Sequence, residues 1–306
     1  MAKIEYVSKK FRQDSLFLIE RINKVISEYK AHGYSLTLRQ IYYQLVARAI
    51  IENNERSYKN IGNLINDARL AGLIDWNAIE DRTRNLRRNS HWDSPGNIIN
   101  SAAYSYQLDY WDNQDNYVEV WVEKDALVGI VERICSQLDV SFFSCRGYVS
   151  QSEMWGASQR LLSKSKQHEK IVLLHLGDHD PSGKDMSRDI IDRLRLFEVY
   201  NIEFKRLALN MNQIEQYNPP PNPTKLTDSR ATGYIEKYGY ECWELDALEP
   251  KVITNLIEDN ILKYRDEKVY NMIKRRENSE KDLLIDLANN WENVAYNWGE
   301  IKSKYC

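Results

Sequence analysis

From Tyr117 onward the chain switches repeatedly between two hydrophobic periods, which restricts its fold more than any other feature. Val118, Val120 and Val122 recur at every second residue, the spacing of a strand, and run into Glu123. Ala126 to Leu138 then repeats every three to four residues, Val140 to Ser144 is extended, and 151–166 returns to the helical period. Ile171 to Leu176 is a continuous apolar run of strand length, followed by a helical 182–197 and an extended 202–209. Strands separated by helices line up in parallel and need cover on both faces. The expected fold class is α/β, with a mostly parallel, Rossmann-like sheet.

Ahead of that region the pattern is helical. Apolar residues at Leu16, Ile19, Ile22, Val25, Ile26 and Tyr29 form one stripe over 12–31, closed near Gly33. Thr37 is a good N-cap for a second helix, with Leu38, Ile41, Tyr42, Leu45 and Val46 inward. A third covers 57–71, with Gly72 as its stop. Three short helices followed by an extended piece, Leu73 to Thr83, have the layout of a winged helix-turn-helix over 1–90. Residues 91–116, with a turn signal at Pro95-Gly96, read as a connector, and 117–306 as the sheet domain with closing helices over 250–265 and 280–298. The prolines at 219–221 and 223 enforce a stiff extended segment, and Cys242 to Leu245 reads as one more short strand.

Composition excludes several classes. With 306 residues, 42% hydrophobic content, eight Trp and twenty Tyr, the chain buries substantial cores and is not a disordered tail. It has no apolar stretch of roughly 18 residues, so no membrane span is expected. The charged first ten residues lack a following hydrophobic block, which points to the cytoplasm. Four cysteines, at 135, 145, 242 and 306, lack the spacing of a zinc site or a disulfide frame. Sixteen Lys and Arg face eleven Asp and Glu up to residue 100, against 26 and 34 beyond it. A basic front joined to an acidic back suits a nucleic-acid binder coupled to a metal-dependent catalytic domain.

Chemistry concentrates at strand ends. Glu123 closes the first strand, and Gly177-Asp178-His179-Asp180-Pro181-Ser182-Gly183 follows a later one. Parallel strands present their carboxyl ends on one edge, so Glu123, Asp178 and Asp180 converge there, and hard oxygen ligands of this kind suit Mg²⁺. Asp180-Pro181 is also a sound N-cap and first-turn pair for the next helix. Alternation turns His179 away from its two acidic neighbours.

Val120-Trp121-Val122-Glu123-Lys124-Asp125-Ala126 and Gly177 to Gly183 resemble the Toprim domain, in the form found in the topoisomerase VI A subunit and its meiotic double-strand-break relatives, and most of all in compact Mini-A-like homologues of mobile elements. The resemblance implies that Glu123, Asp178 and Asp180 hold Mg²⁺, and Trp243-Glu244-Leu245-Asp246-Ala247-Leu248 looks like the family's E-x-x-A-L segment, although Glu244 also suits an ordinary edge-strand acid. It implies a winged helix bearing a nucleophilic tyrosine. The match is Arg39-Gln40-Ile41-Tyr42-Tyr43, in which Arg39 and Tyr43 share a helix face while Tyr42 follows the inward stripe. Tyr43, on an exposed DNA-facing side, is then the expected nucleophile and Arg39 its phosphate-holding partner.

The activity so implied is Mg²⁺-dependent cleavage of double-stranded DNA by tyrosine transesterification, like a type IIB topoisomerase A subunit. The alternatives are a Toprim nuclease that uses activated water and a non-catalytic DNA-binding homologue. The resemblance also implies a homodimer in which the tyrosine of one copy meets the acids of the other, and a separate GHKL ATPase subunit for strand passage. Arg82, Arg84, Arg87 and Arg88, where a wing would lie, with Lys59 and Arg69 on the third helix, are the expected DNA contacts.

Overall fold

The computed structural model describes residues 3–31, 33, 36–79 and 89–305. The chain divides into two compact units, Met1–Thr83 with Asn116–Lys263 and Arg84–Asp115 with Tyr264–Cys306.

The first unit begins with α1 (Gln13–Ala31), α2 (Leu38–Ala47) and α3 (Glu55–Leu70). Their apolar stripes meet in one core that includes Ile22, Val25, Ile41, Leu45, Ile61 and Ile65. The start of α2 follows from its sequence: Thr37 and Gln40 form a reciprocal capping box. Asn54 caps α3 by accepting the Ser57 N–H at 2.8 Å. Gly72 follows α3 at φ +69°, where a Cβ would come within 2.9 Å of the Glu5 backbone nitrogen. The extended piece expected from Leu73 is instead a 3₁₀ turn at Trp76–Ala78, capped by Asp75, with a single parallel bridge between Leu36 and Ile79. The remainder of that expected wing lies outside the described residues.

The same unit contains a four-stranded, wholly parallel sheet of β1 (Asn116–Val122), β2 (Ser141–Ser144), β3 (Lys170–Leu176) and β4 (Ile202–Ala208), in the order β2-β1-β3-β4. The α/β class read from the sequence is therefore correct. Helices α5 (Val128–Leu138), α6 (Gln151–Lys164) and α7 (Pro181–Leu196) connect the strands. Trp121, Ile171 and Leu173 pack with Met154 and Leu161 of α6 and Ile190 of α7. On the other face α5 lies against β1 and α10 (Pro250–Leu262). Register pairs Val122 with both Ser144 and Leu176, so the residues after β1 and β3 emerge side by side. Between β4 and α10 come α8 (Met211–Tyr217), β5 (Asn222–Pro223), α9 (Ala231–Tyr238) and β6 (Glu241–Cys242), with β5 antiparallel to β6.

The second unit pairs α4 (Pro95–Ser105) with α11 (Glu267–Asn289), followed by α12 (Trp291–Tyr305). Pro95-Gly96 is a turn signal, and on it the sequence predicts a connector over 91–116. In the structure Ser94 accepts the Asn97 N–H at 3.1 Å and Pro95 opens a helix, where its missing N–H costs nothing. Helix α11 begins at Glu267, ahead of the expected 280, because Asp266 caps Lys268 and Val269. Buried Glu277 accepts the Tyr110 hydroxyl at 2.7 Å and the Leu108 N–H at 2.8 Å, and so ties the segment after α4 to α11. Among the described residues no helix is long and apolar enough to cross a membrane. If Ser94 starts α4, Ser94→Ala should lower stability by about 1 kcal/mol and Ser94→Asp should restore it. Denaturant midpoints check this, and an unchanged midpoint in Ser94→Ala would leave the cap without weight.

Candidate functional site

The two strand ends meet as the register requires. Glu123 continues the ladder through its N–H to the Leu176 carbonyl at 2.9 Å, and its Oε2 accepts the Asp178 N–H at 3.0 Å. Asp180 caps α7 by accepting the Gly183 N–H on Oδ1 at 2.6 Å, the dual use its position before Pro181 suggests. Gly183 is obligatory, because a Cβ there would overlap the Asp178 carbonyl oxygen. Arg206 holds this loop from beneath. Its guanidinium donates to the carbonyls of Gly177 (2.9 Å), Gly183 (3.0 Å) and Asp178, and to Ser187 Oγ. One side chain from β4 thus adds donors to the carbonyls of this turn, of which Gly177 also accepts the Leu209 N–H at 2.7 Å.

His179 turns away from the acids, as alternation predicts. It is buried, its Nδ1 lies 2.7 Å from the Tyr234 hydroxyl, and its ring sits among Tyr234, Tyr238 and Trp243. Its backbone exchanges two hydrogen bonds with Trp243, at 2.8 and 2.9 Å. That bridge delivers the following residues, Glu244 and the 3₁₀ turn Leu245–Ala247, to the acidic edge. There Asp178 Oδ1 accepts the Leu245 N–H at 2.7 Å.

Helix α2 supplies the other wall. Arg39 donates through Nη2 to Glu244 Oε2 at 2.6 Å and through Nε to Asp246 Oδ2 at 3.0 Å, and Nη2 lies 3.4 Å from the Tyr43 hydroxyl. Arg39 and Tyr43 do share a face, on which Arg39 is exposed, but Tyr43 is not the exposed ring that the sequence reading expects. Tyr43 is 5% exposed and Tyr42 4%, their rings edge to face and packed with Ala247. Helical phase alone leaves Tyr43 outside, and the turn carrying Asp246 and Ala247 covers it. Tyr42 donates to Asn53 Oδ1 at 2.9 Å, and Asn53 donates to Asn222 Oδ1 at 2.5 Å. The sequence expectation put the tyrosine and the acids of one site in different copies. In the structure Arg39, Tyr43, Lys124, Asp178, Asp180 and Glu244 line one cavity of about 680 Å³ within a single chain.

Lys124 is the residue the sequence reading passed over, although it stands beside Glu123 in the quoted motif. Its ammonium lies 2.5 Å from Glu244 Oε2, 3.1 Å from Asp178 Oδ2 and 3.2 Å from Asp246 Oδ1. Asp246, with its side chain wholly buried, was equally unsignalled, since an acid in a short turn has no periodicity to betray it. Lys124 and Arg39 thus contact the carboxylates directly while Arg206 adds positive charge near Glu123, Asp178 and Asp180, and the titration behaviour follows. Burial, then the nearby Asp178 carboxylate, pushes Glu123 up to about 8. Burial also raises Asp178, to about 6, against the pull of Lys124 and the Leu245 N–H. Burial works against ionisation of Glu244 too, but Lys124, Tyr43 and Arg39 hold it down at about 2. Tyr43 is raised above the ordinary phenol value by burial and by Asp246 and Glu244.

The donor set suits a hard divalent cation. Burial and neighbouring carboxylates work against ionisation of Glu123 and Asp178, and among the described residues Glu123 Oε1 and Asp180 Oδ2 accept no hydrogen bond. Among the described residues no three Asp, Glu, His or Cys side chains already form a metal cage, and Lys124 covers one oxygen of Asp178. Of the expected DNA contacts, Lys59 is exposed and pairs with Glu55 at 2.7 Å. Arg69 is turned to its own unit, donating to the Trp76 and Ile79 carbonyls and stacking on Trp76. Arg82, Arg84, Arg87 and Arg88 lie outside the described residues.

The raised acids make stability depend on pH. Glu123 binds its proton more tightly folded than unfolded, so its contribution is complete below its ordinary 4.5 and is lost as pH climbs to about 8; Asp178 acts likewise from 3.8 to about 6. Glu244 has the opposite sign, and its contribution disappears only as pH falls from 4.5 towards about 2. Without divalent metal, melting temperature should fall between pH 5 and 8 on the order of several degrees, and Glu123→Gln should flatten that fall. A profile equally steep in Glu123→Gln would place the responsible group elsewhere. No protein-family model and no curated protein matches this sequence, which leaves the side chains themselves as the guide to what the site does.

Proposed function

We propose that this chain cleaves the backbone of double-stranded DNA in a Mg²⁺-dependent reaction, with Tyr43 as the nucleophile, and that its first three helices and its parallel sheet are the winged helix and the Toprim domain the sequence resembles. The observation that carries this reading is the meeting of a phenol, two cations, Asp178 and Asp180 in one cavity of one chain, with Glu123 accepting the Asp178 N–H beside it. Glu123, Asp178 and Asp180 would hold Mg²⁺, which supplies positive charge against the phosphate oxygens in the transition state. Arg39, positioned by Glu244 and Asp246 and lying over the Tyr43 ring at 5.6 Å, is placed to orient the phosphate under attack. The Tyr43 oxygen bonds to phosphorus as its proton passes to Glu244, the beside-lying carboxylate. The 3′-oxygen leaves and takes up a proton, which gives a 5′-phosphotyrosyl link and a free 3′-hydroxyl.

One observation favours a second reading. The phenol is buried and held above its ordinary pKa, whereas Glu244 is a weak base. Water attacking at the same acids would need neither, and Tyr43 would then serve to position Arg39.

A denaturing gel separates the two. Under the tyrosine mechanism wild-type protein forms a covalent DNA adduct, and Tyr43→Phe loses adduct and cleavage together, by on the order of a thousandfold or more. Asp178→Asn should abolish cleavage while DNA retention persists. Cutting by Tyr43→Phe at the wild-type rate selects water, and absence of cutting from wild type with Mg²⁺ removes the enzymatic reading. Because Tyr43 and Asp178 line one cavity of one chain, mixing Tyr43→Phe with Asp178→Asn should not restore activity; nicking by the mixture would move the site to an interface between copies.

A further inference from the structure

The cation that the acidic edge already holds is a lysine from its own strand. Lys124 follows Glu123 at the end of β1, and its side chain is only 15% exposed. Burying an ammonium is costly unless each of its donors is met. Here three carboxylates from three segments meet it: Asp178 after β3, Glu244 beyond β6 and Asp246 in the 3₁₀ turn, at 3.1, 2.5 and 3.2 Å. Arg39 joins the last two but not Asp178. Among the described residues Lys124 is thus the one side chain that pairs with both acid groups, Asp178 on one side and the Glu244–Asp246 pair on the other.

We propose that Lys124 is a built-in counter-cation that competes with divalent metal for Asp178 and so sets the metal affinity of the site, with Glu244 and Asp246 as the carboxylates that receive its ammonium when metal binds. This rests on the reading of Glu123, Asp178 and Asp180 as metal ligands. A divalent ion approaching Asp178 meets an oxygen that already has an ammonium at hydrogen-bond distance, and two cations at that separation repel strongly in a partly buried site. The Glu244 and Asp246 contacts allow Lys124 to give up Asp178 without becoming an unpaired buried charge. Glu244 and Asp246 are therefore anchors for the two cations and not ligands, which gives the later acidic segment a role distinct from that of the strand-end acids.

Titration calorimetry with Mg²⁺ and with Mn²⁺ on the full chain without DNA tests this by affinity alone. Lys124→Met should tighten binding by about tenfold or more. Asp246→Asn should weaken it, because Lys124 loses one anchor and bears harder on Asp178. Arg39→Met removes an equal charge from the same cluster without touching Asp178, and should change affinity by less than about threefold. If Lys124→Met does not fold, as circular dichroism would show, Lys124→Gln keeps the length and a donor and should show the same direction. Unchanged or weaker binding in the folded Lys124 variant overturns the proposal, as does an equal gain in Arg39→Met. Binding absent from every chain, wild type included, overturns the metal reading and this one together; binding present but indifferent to Lys124 overturns this one alone.

Discussion

Crowding of negative charge at one sheet edge is the condition to which the rest of the first unit is fitted. Glu123, Asp178, Asp180, Glu244 and Asp246 are brought together by two strand ends, a helix cap and a 3₁₀ turn, and water is largely excluded from Asp178 and Asp246. Like charges in such a place are tolerated only with counter-charge or with protons. The chain uses both. Arg39 and Lys124 compensate the Glu244–Asp246 pair, whereas Glu123 and Asp178 take up protons more readily than isolated carboxyls do. The α2 helix is consequently bound to the sheet domain by charge as well as by the packing of Tyr42 and Tyr43 on Ala247.

Backbone geometry under the acids is secured separately. Asp178 and Asp180 lie in a turn whose carbonyls project below the sheet edge, and Arg206 collects three of them in one guanidinium. A planar fork with five donors suits that task, and a lysine with three rotatable donors would not. His179, between the two acids, anchors the opposite side of the turn through Trp243 and Tyr234. The site acids share in that work through one oxygen each: Glu123 accepts the Asp178 N–H, Asp178 the Leu245 N–H and Asp180 the Gly183 N–H.

Much of this was legible in the sequence because strands and strand ends have local signatures. Alternation in Val118–Val122 and the apolar run in 171–176 reveal the parallel sheet, and parallel topology alone brings Glu123 towards Asp178 and Asp180. Features set by distant contact were not legible. Helical phase puts Tyr42 inside and Tyr43 outside, but Ala247 in the turn at 245–247, some two hundred residues away, packs with Tyr43, which is buried as well. Lys124 and Asp246 belong to no periodic pattern, and a lysine next to a glutamate ordinarily marks a solvated strand end. The helix at 95–105 was obscured for a different reason, since Pro-Gly serves equally as a turn and, after Ser94, as a helix start.

The two compact units are each made of two separate stretches of chain, and this has a consequence in time. During synthesis α4 is complete roughly 160 residues before α11, the helix it packs against, begins. At about 5–20 residues per second, α4 waits on the order of ten to thirty seconds with its packing face uncovered. The three N-terminal helices can close their own core during that interval, yet Arg39 has no carboxylate from 244–246 to meet until all four strands of the sheet have been synthesised. The basic half of the cavity therefore exists before the acidic half, and the nascent chain carries an uncompensated cation on α2 until the 3₁₀ turn arrives to neutralise it.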